Sequence, residues 1–96
     1  MIALAIDTDK VAELCRQNDV AVLGVFGSFA RSEATERSDV DLLVKFSKRK
    51  SLLALVALER QLGDVLGRKV DLLTEAALSP YLRERIMREL RVIYAA

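Results

Sequence analysis

Ninety-six residues and 10.7 kDa are enough for one domain with a small core, and 52% apolar against 30% charged residues argues for a folded chain over a disordered one. Fifteen basic and fourteen acidic side chains leave a net charge of +1, too even a balance for a protein that lives on nucleic acid by electrostatics. Histidine is absent, which excludes Ser-His-Asp triads, Cys-His pairs and histidine metal ligands and leaves carboxylate, lysine or tyrosine as any general base.

Val11, Leu14 and Cys15 recur at helical spacing within residues 7–18, with Asp7 or Thr8 to cap that first helix. Cys15 is the only cysteine, so no internal disulfide or thiolate zinc site is available; a reducing compartment fits, with cytoplasm expected. The run Val-Ala-Val-Leu-Gly-Val-Phe over residues 20–26 is apolar throughout and reads as a central strand buried on both faces. Gly27-Ser28-Phe29-Ala30-Arg31 follows, then a polar stretch to Ser38, read as a turn into a short helix and a loop. A second strand is predicted over 39–46, whose alternation places Asp39 and Asp41 on one face, with Lys45 on that face but at the rim. Beyond a basic turn at 47–50, Ser51 caps a helix to about Leu66. Leu52, Leu55, Val56, Leu62 and Leu66 are its expected buried stripe, and Gly67 ends it.

Residues 69–74 make a third strand, Ser79-Pro80 opens a last helix through about Leu90, and residues 92–94 close as a short strand. On that helix Glu84 with Arg88 and Arg85 with Glu89 stand at i,i+4, while Tyr81 and Tyr94 read as packing residues. No apolar run approaches the roughly 20 residues of a bilayer span, and the start shows no basic-then-apolar leader, so neither a membrane nor a secreted protein is expected. The economical arrangement is α+β, a small mixed β-sheet backed by helices, in a single domain over residues 1–96.

The chemistry concentrates where Gly27-Ser28, at the end of a buried strand, is followed ten residues later by Asp39-Val40-Asp41 at the start of another. A glycine there lets the backbone approach a phosphate, the serine adds a hydroxyl and an amide donor, and a helix beginning there would add its positive dipole. Two ionised aspartates on one strand face repel, and a divalent cation, magnesium for preference, removes that penalty while both act as oxygen ligands. Asp71 lies in a third apolar strand candidate. If the strands are neighbours, three carboxylates converge, enough to hold two metal ions roughly 3.5–4 Å apart for an in-line phosphoryl displacement. Asp71 would also accept the proton of an incoming hydroxyl. Either half alone has an ordinary structural explanation, a turn or a strand-end cap, but the combination is hard to obtain by accident. Arg31, three residues past Ser28, is within reach of a triphosphate.

These residues, Gly27 to Arg31 and then Ser38-Asp39-Val40-Asp41-Leu42-Leu43-Val44, resemble the minimal nucleotidyltransferases of the polymerase-β superfamily over almost the whole chain. The resemblance implies a polymerase-β-like fold and a magnesium-dependent nucleotidyltransferase. Gly27 and Ser28 would hold the triphosphate, and Asp39, Asp41 and Asp71 would serve as metal and catalytic residues for two Mg2+ ions. The family's minimal members pair with small helical HEPN-type ribonuclease toxins. By that likeness this chain is an antitoxin that transfers AMP from ATP to a tyrosine of the toxin and assembles with it. Two other readings stand beside it: an inert antitoxin that neutralises by contact, and nucleotidyl transfer to RNA or a small molecule, the near-neutral charge speaking against nucleic acid. The family commonly has glycine where this chain has Ser32 and Leu90, so the conformation of both turns is open.

Overall fold

The computed structural model describes residues 4–96. Helix α1 (Thr8–Gln17) is followed by strands β1 (Val20–Phe26) and β2 (Val40–Phe46), helix α2 (Leu52–Leu66), strand β3 (Val70–Thr74), helix α3 (Pro80–Glu89) and strand β4 (Arg91–Ala95), with a 3-10 turn at Glu75–Ala77. The helices begin where their capping side chains lie. Asp7 accepts the Lys10 amide, Ser51 that of Ala54 and Ser79 that of Leu82. Gly67, at φ +66°, closes α2 in the left-handed conformation expected of a terminating glycine.

The four strands form one mixed sheet in the order β3-β2-β1-β4. β1 is antiparallel to both β2 and β4, whereas β2 and β3 run parallel and are joined through α2. The central position expected for β1 follows from its continuous apolar sequence: one face packs on each layer and no edge is left to water. Alternation then sorts the sheet into two sides. Leu23 and Val25, Val40, Leu42 and Val44, and Val70 and Leu72 join Val11 and Cys15 of α1 and Leu58, Leu62 and Leu66 of α2 in the main core. The opposite face carries a smaller core of Phe26, Leu43 and Ile86, bordered by Leu73, Leu78 and Leu90, where α3 covers it. Asp41 and Asp71 share the strand parity of Leu43 and Leu73 and so belong to this second face.

Several expectations are corrected. Of the expected α2 stripe, Leu62 and Leu66 are buried and Leu55 is half-buried, but Leu52 and Val56 are exposed and Leu58 takes the central place. Residues 52–58 are apolar all round, so periodicity could not choose the face there. No helix follows Ser28; residues 27–32 form a succession of turns. Tyr81 is almost fully exposed, while Tyr94 does pack against the main core. Among the described residues no helix is long and apolar enough to cross a membrane.

Leu90 resolves one of the two departures from the family pattern. Its backbone is extended (φ −60°, ψ 130°), which any residue adopts, and its side chain lies on Gly24, where an added Cβ would stand 2.7 Å from Leu90 Cδ1 and 2.8 Å from Cγ. Leucine here fills space that Gly24 leaves. Gly24→Ala is therefore expected to lower stability in urea unfolding by about 1–3 kcal/mol, the usual range for overpacking. Most of that loss should vanish in a Leu90→Ala background.

Candidate active site

Because β1 runs antiparallel to β2 and β2 runs parallel to β3, the end of β1 and the starts of β2 and β3 meet at one end of the sheet. Phe26, the last residue of β1, is paired with Asp41, and Asp41 is paired with Asp71. The two carboxylates thus project side by side from adjacent strands about 4.8 Å apart. Asp39 precedes β2 and stands just outside the ladder, its carboxylate 3.8 Å from the Lys69 ammonium.

Gly27 turns the chain out of β1 with φ +74°. A Cβ at this position would overlap Asp41 Oδ2 and lie 3.1 Å from Asp41 Cγ, so the glycine is required first by its own aspartate. The turn is knit by bonds from the Arg31 amide to Gly27 O (3.1 Å) and from the Glu33 amide to Ser28 O (2.9 Å). Among the described residues the amides of Ser28, Phe29 and Ala30 meet no protein acceptor, which leaves a run of donors beside the Ser28 hydroxyl. An anion at Gly27-Ser28 would therefore meet turn amides and no helix dipole.

Ser32 ends this turn at φ +59°, a left-handed conformation that strains any residue with a Cβ. That explains why glycine suits the position. Ser32→Gly is expected to raise stability by up to about 1 kcal/mol, the relief of left-handed strain less the entropy glycine adds to the unfolded chain. Urea unfolding checks it, with Ser32→Ala predicted to show no gain.

Arg31 and Glu89 complete the rim. Arg31 donates through Nη1 to Glu89 Oε1 and Oε2 at 3.2 and 3.1 Å, and its Nε lies 3.3 Å from Glu33. Glu89, the last residue of α3, also accepts the Gly27 amide at 3.0 Å. The i,i+4 pairs expected on α3 do not form among the described residues; Glu89 turns instead to partners 58 and 62 residues away. Sequence spacing offered it a local partner in Arg85, and nothing in the local pattern signalled the distant one. Burial disfavours the ionised form of Glu89, but the Gly27 amide and Arg31 outweigh it and hold its carboxyl below the ordinary range.

Asp41 moves the other way. Burial, then the charges of Asp71 and Asp39, push its carboxyl above the usual value, and Arg31 offsets only part of this. The site therefore carries like charge without enough compensation, which an oxygen-seeking divalent cation would supply. Among the described residues no three acidic or thiol side chains converge into a ready-made cation cage. The convergence of three ligands expected from sequence is looser than that, with Asp39 leaning on Lys69. Two carboxylates still fit magnesium, which is commonly bound by one or two carboxylates and completed by substrate phosphates and water. Cys15 is no competing nucleophile, since burial pushes its thiol up to about 11. A polar cleft lined by Ser38, Asp39, Gly67, Arg68 and Lys69 opens beside Asp39, and its Arg68 guanidinium lies 5.2 Å over the Phe29 ring of the turn.

Known proteins resemble this chain in sequence and in fold. Residues 9–93 match the model of the nucleotidyltransferase domain. Protein adenylyltransferase MntA of Thermococcus cleftensis is 43% identical over 82 residues, covering 85% of this chain and 81% of that protein. A crystal structure of a toxin-antitoxin with AMP-PNP superposes with a TM-score of 0.78 at 22% identity, covering 95% of this chain and 75% of that one. A structure of the tri-AMPylated Shewanella oneidensis HEPN toxin in complex with MNT antitoxin follows at 0.68 and 21%, covering 93% and 70%. With residues 9–93 matched by the family model and a relative 43% identical over most of both chains, the chain belongs to the nucleotidyltransferase domain family and is a nucleotidyltransferase, on a small α+β sheet of the polymerase-β-like kind.

Proposed function

We propose that this nucleotidyltransferase is an antitoxin that transfers AMP from ATP to a tyrosine of a HEPN-type toxin, with magnesium. The register that sets Asp41 beside Asp71, at the end of the sheet where the Gly27-Ser28 turn leaves β1, carries this reading. The Ser28 hydroxyl and the turn amides hold the terminal phosphates, and Arg31 adds positive charge at the rim. Asp39 and Asp41 hold the metal, for which Asp39 exchanges Lys69 as its partner. Bound magnesium supplies neutralisation of the charge that builds on the departing pyrophosphate. Asp71 accepts the proton of the acceptor hydroxyl as its oxygen forms a bond to the α-phosphorus and the bond to pyrophosphate breaks. Positioning and electrostatics then account for the rate, which suits a site without histidine.

A protein acceptor is supported by the relatives' names and by the surface of α3 and β4, where Tyr81, Leu82, Met87 and Val92 are exposed apolar side chains. Intact-mass spectrometry of a HEPN-type partner incubated with this protein, ATP and magnesium tests the proposal. A gain of one or more AMP units is expected with the wild type and none with the Asp39→Asn, Asp41→Asn double variant. An unmodified partner that is still bound and neutralised would favour an inert antitoxin acting by contact.

A further inference from the structure

We infer that Glu89 is a positioning residue of the nucleotide seat: its carboxylate fixes the Gly27 turn and holds the Arg31 guanidinium at the rim, clear of the metal-binding aspartates. The inference rests on the nucleotidyl-transfer reading above and adds a residue to it.

Three observations carry it. One carboxylate with an 18% exposed side chain satisfies the Gly27 amide and Arg31 together, so the last residue of α3 is tied to both ends of the turn that presents Ser28. The tie is rigidly backed, because β4 begins two residues on and Arg91 pairs with Val25 of β1. The Gly27 amide is thereby already occupied, so the donors left for phosphate are the Ser28 hydroxyl, the amides of Ser28, Phe29 and Ala30, and Arg31 Nη2. Second, Arg31 lies close enough to Asp41 to act on its charge. Without Glu89 only Glu33, through Nε, would still hold that guanidinium, leaving Nη1 free to turn toward Asp41, and an Arg31–Asp41 pair would take a carboxylate from the cation. Third, Arg31 keeps its orientation through two acidic partners, Glu89 and Glu33, and a guanidinium so held loses little freedom when a phosphate arrives.

The test measures binding of magnesium AMP-PNP by calorimetry and AMP transfer from ATP for the wild type, Glu89→Gln, Glu89→Asp and Glu89→Ala. The Gln variant keeps an acceptor oxygen of the same reach and is expected to stay within about threefold of wild type. The Asp variant keeps the charge but loses a methylene of reach, and with the Ala variant it should bind about 10-fold or more weakly, the usual scale for outer-shell partners. KM for ATP should rise by that factor, with kcat moving less. The Asp variant keeps the proposal testable if Glu89→Ala fails to fold. Wild-type affinity and KM in folded Asp and Ala variants would overturn the inference and leave the nucleotidyl-transfer reading intact. Tighter nucleotide binding by the Ala variant would overturn it too, showing the carboxylate to be a competitor for the seat. Failure of the wild type itself to bind the nucleotide would overturn the underlying reading and the inference with it.

Discussion

Asp41→Asn should make the protein more stable at neutral pH and nearly inactive. Asp41 is held above its ordinary value of 3.8 first by burial and then by Asp71 and Asp39, so its neutral form is the one the fold prefers. A carboxyl raised in this way contributes stability below its unfolded pKa and loses it as pH climbs through the folded one. At pH 7 the ionised side chain therefore works against the fold. Asparagine removes the charge at nearly the same size, so the thermal midpoint of Asp41→Asn should exceed that of the wild type at pH 7, and the two should converge as pH falls below 4. Magnesium should reverse the order: the wild type gains stability from the cation by mass action, and the variant gains far less. Transfer activity should fall by at least about 100-fold, since even loss of an outer-shell partner of a metal site reaches that scale. Thermal unfolding with and without magnesium, beside a transfer assay, checks all three. A variant less stable than wild type at pH 7 would mean that Asp41 is satisfied in the free protein and has no charge for a cation to relieve.

Gly27→Ala should damage both stability and turnover, and through Asp41. The new Cβ costs about 1–3 kcal/mol from the left-handed backbone alone, and it overlaps Asp41 Oδ2, so the carboxylate must swing away from the Gly27-Ser28 turn. A displacement of about 1 Å in a reacting site can cost about 100-fold in rate, and a drop of that order in kcat/KM is expected. The coupling is separable. In an Asp41→Ala background the carboxylate is gone and only the Cβ of residue 41 remains, 3.3 Å from the new methyl, so Gly27→Ala should cost little beyond its backbone strain, and the double-mutant cycle should show a favourable interaction between the two changes. Strict additivity would show that the glycine serves the turn alone.

Much of this architecture was legible in the sequence because the signals were local. Caps and breakers at Asp7, Ser51, Gly67 and Ser79 fixed the helix ends, and the apolar run of β1 announced a central strand. The alignment of Asp41 with Asp71 was legible only conditionally, since alternation gives the face but only the β2–β3 pairing gives the register. Three features were hidden. The face of α2 was ambiguous over its uniformly apolar first turns, and a helix after Ser28 was expected where Ser32, in a left-handed conformation, turns the chain instead. Glu89 had a plausible partner four residues away, and the ties it makes depend on α3 crossing back over the end of β1. In each case tertiary packing chose among options that local periodicity left equal.

The central claim is that the end of the sheet holding Gly27, Ser28, Asp41 and Asp71 performs nucleotidyl transfer, with attack at the α-phosphorus. Its most direct test follows radiolabel from ATP carrying the isotope at the α- or the γ-phosphate onto a HEPN-type partner, for the wild type and Asp41→Asn. The account predicts label on the partner from the α-position only, and none with the variant. Label from the γ-position, or α-label that survives Asp41→Asn unchanged, would contradict it.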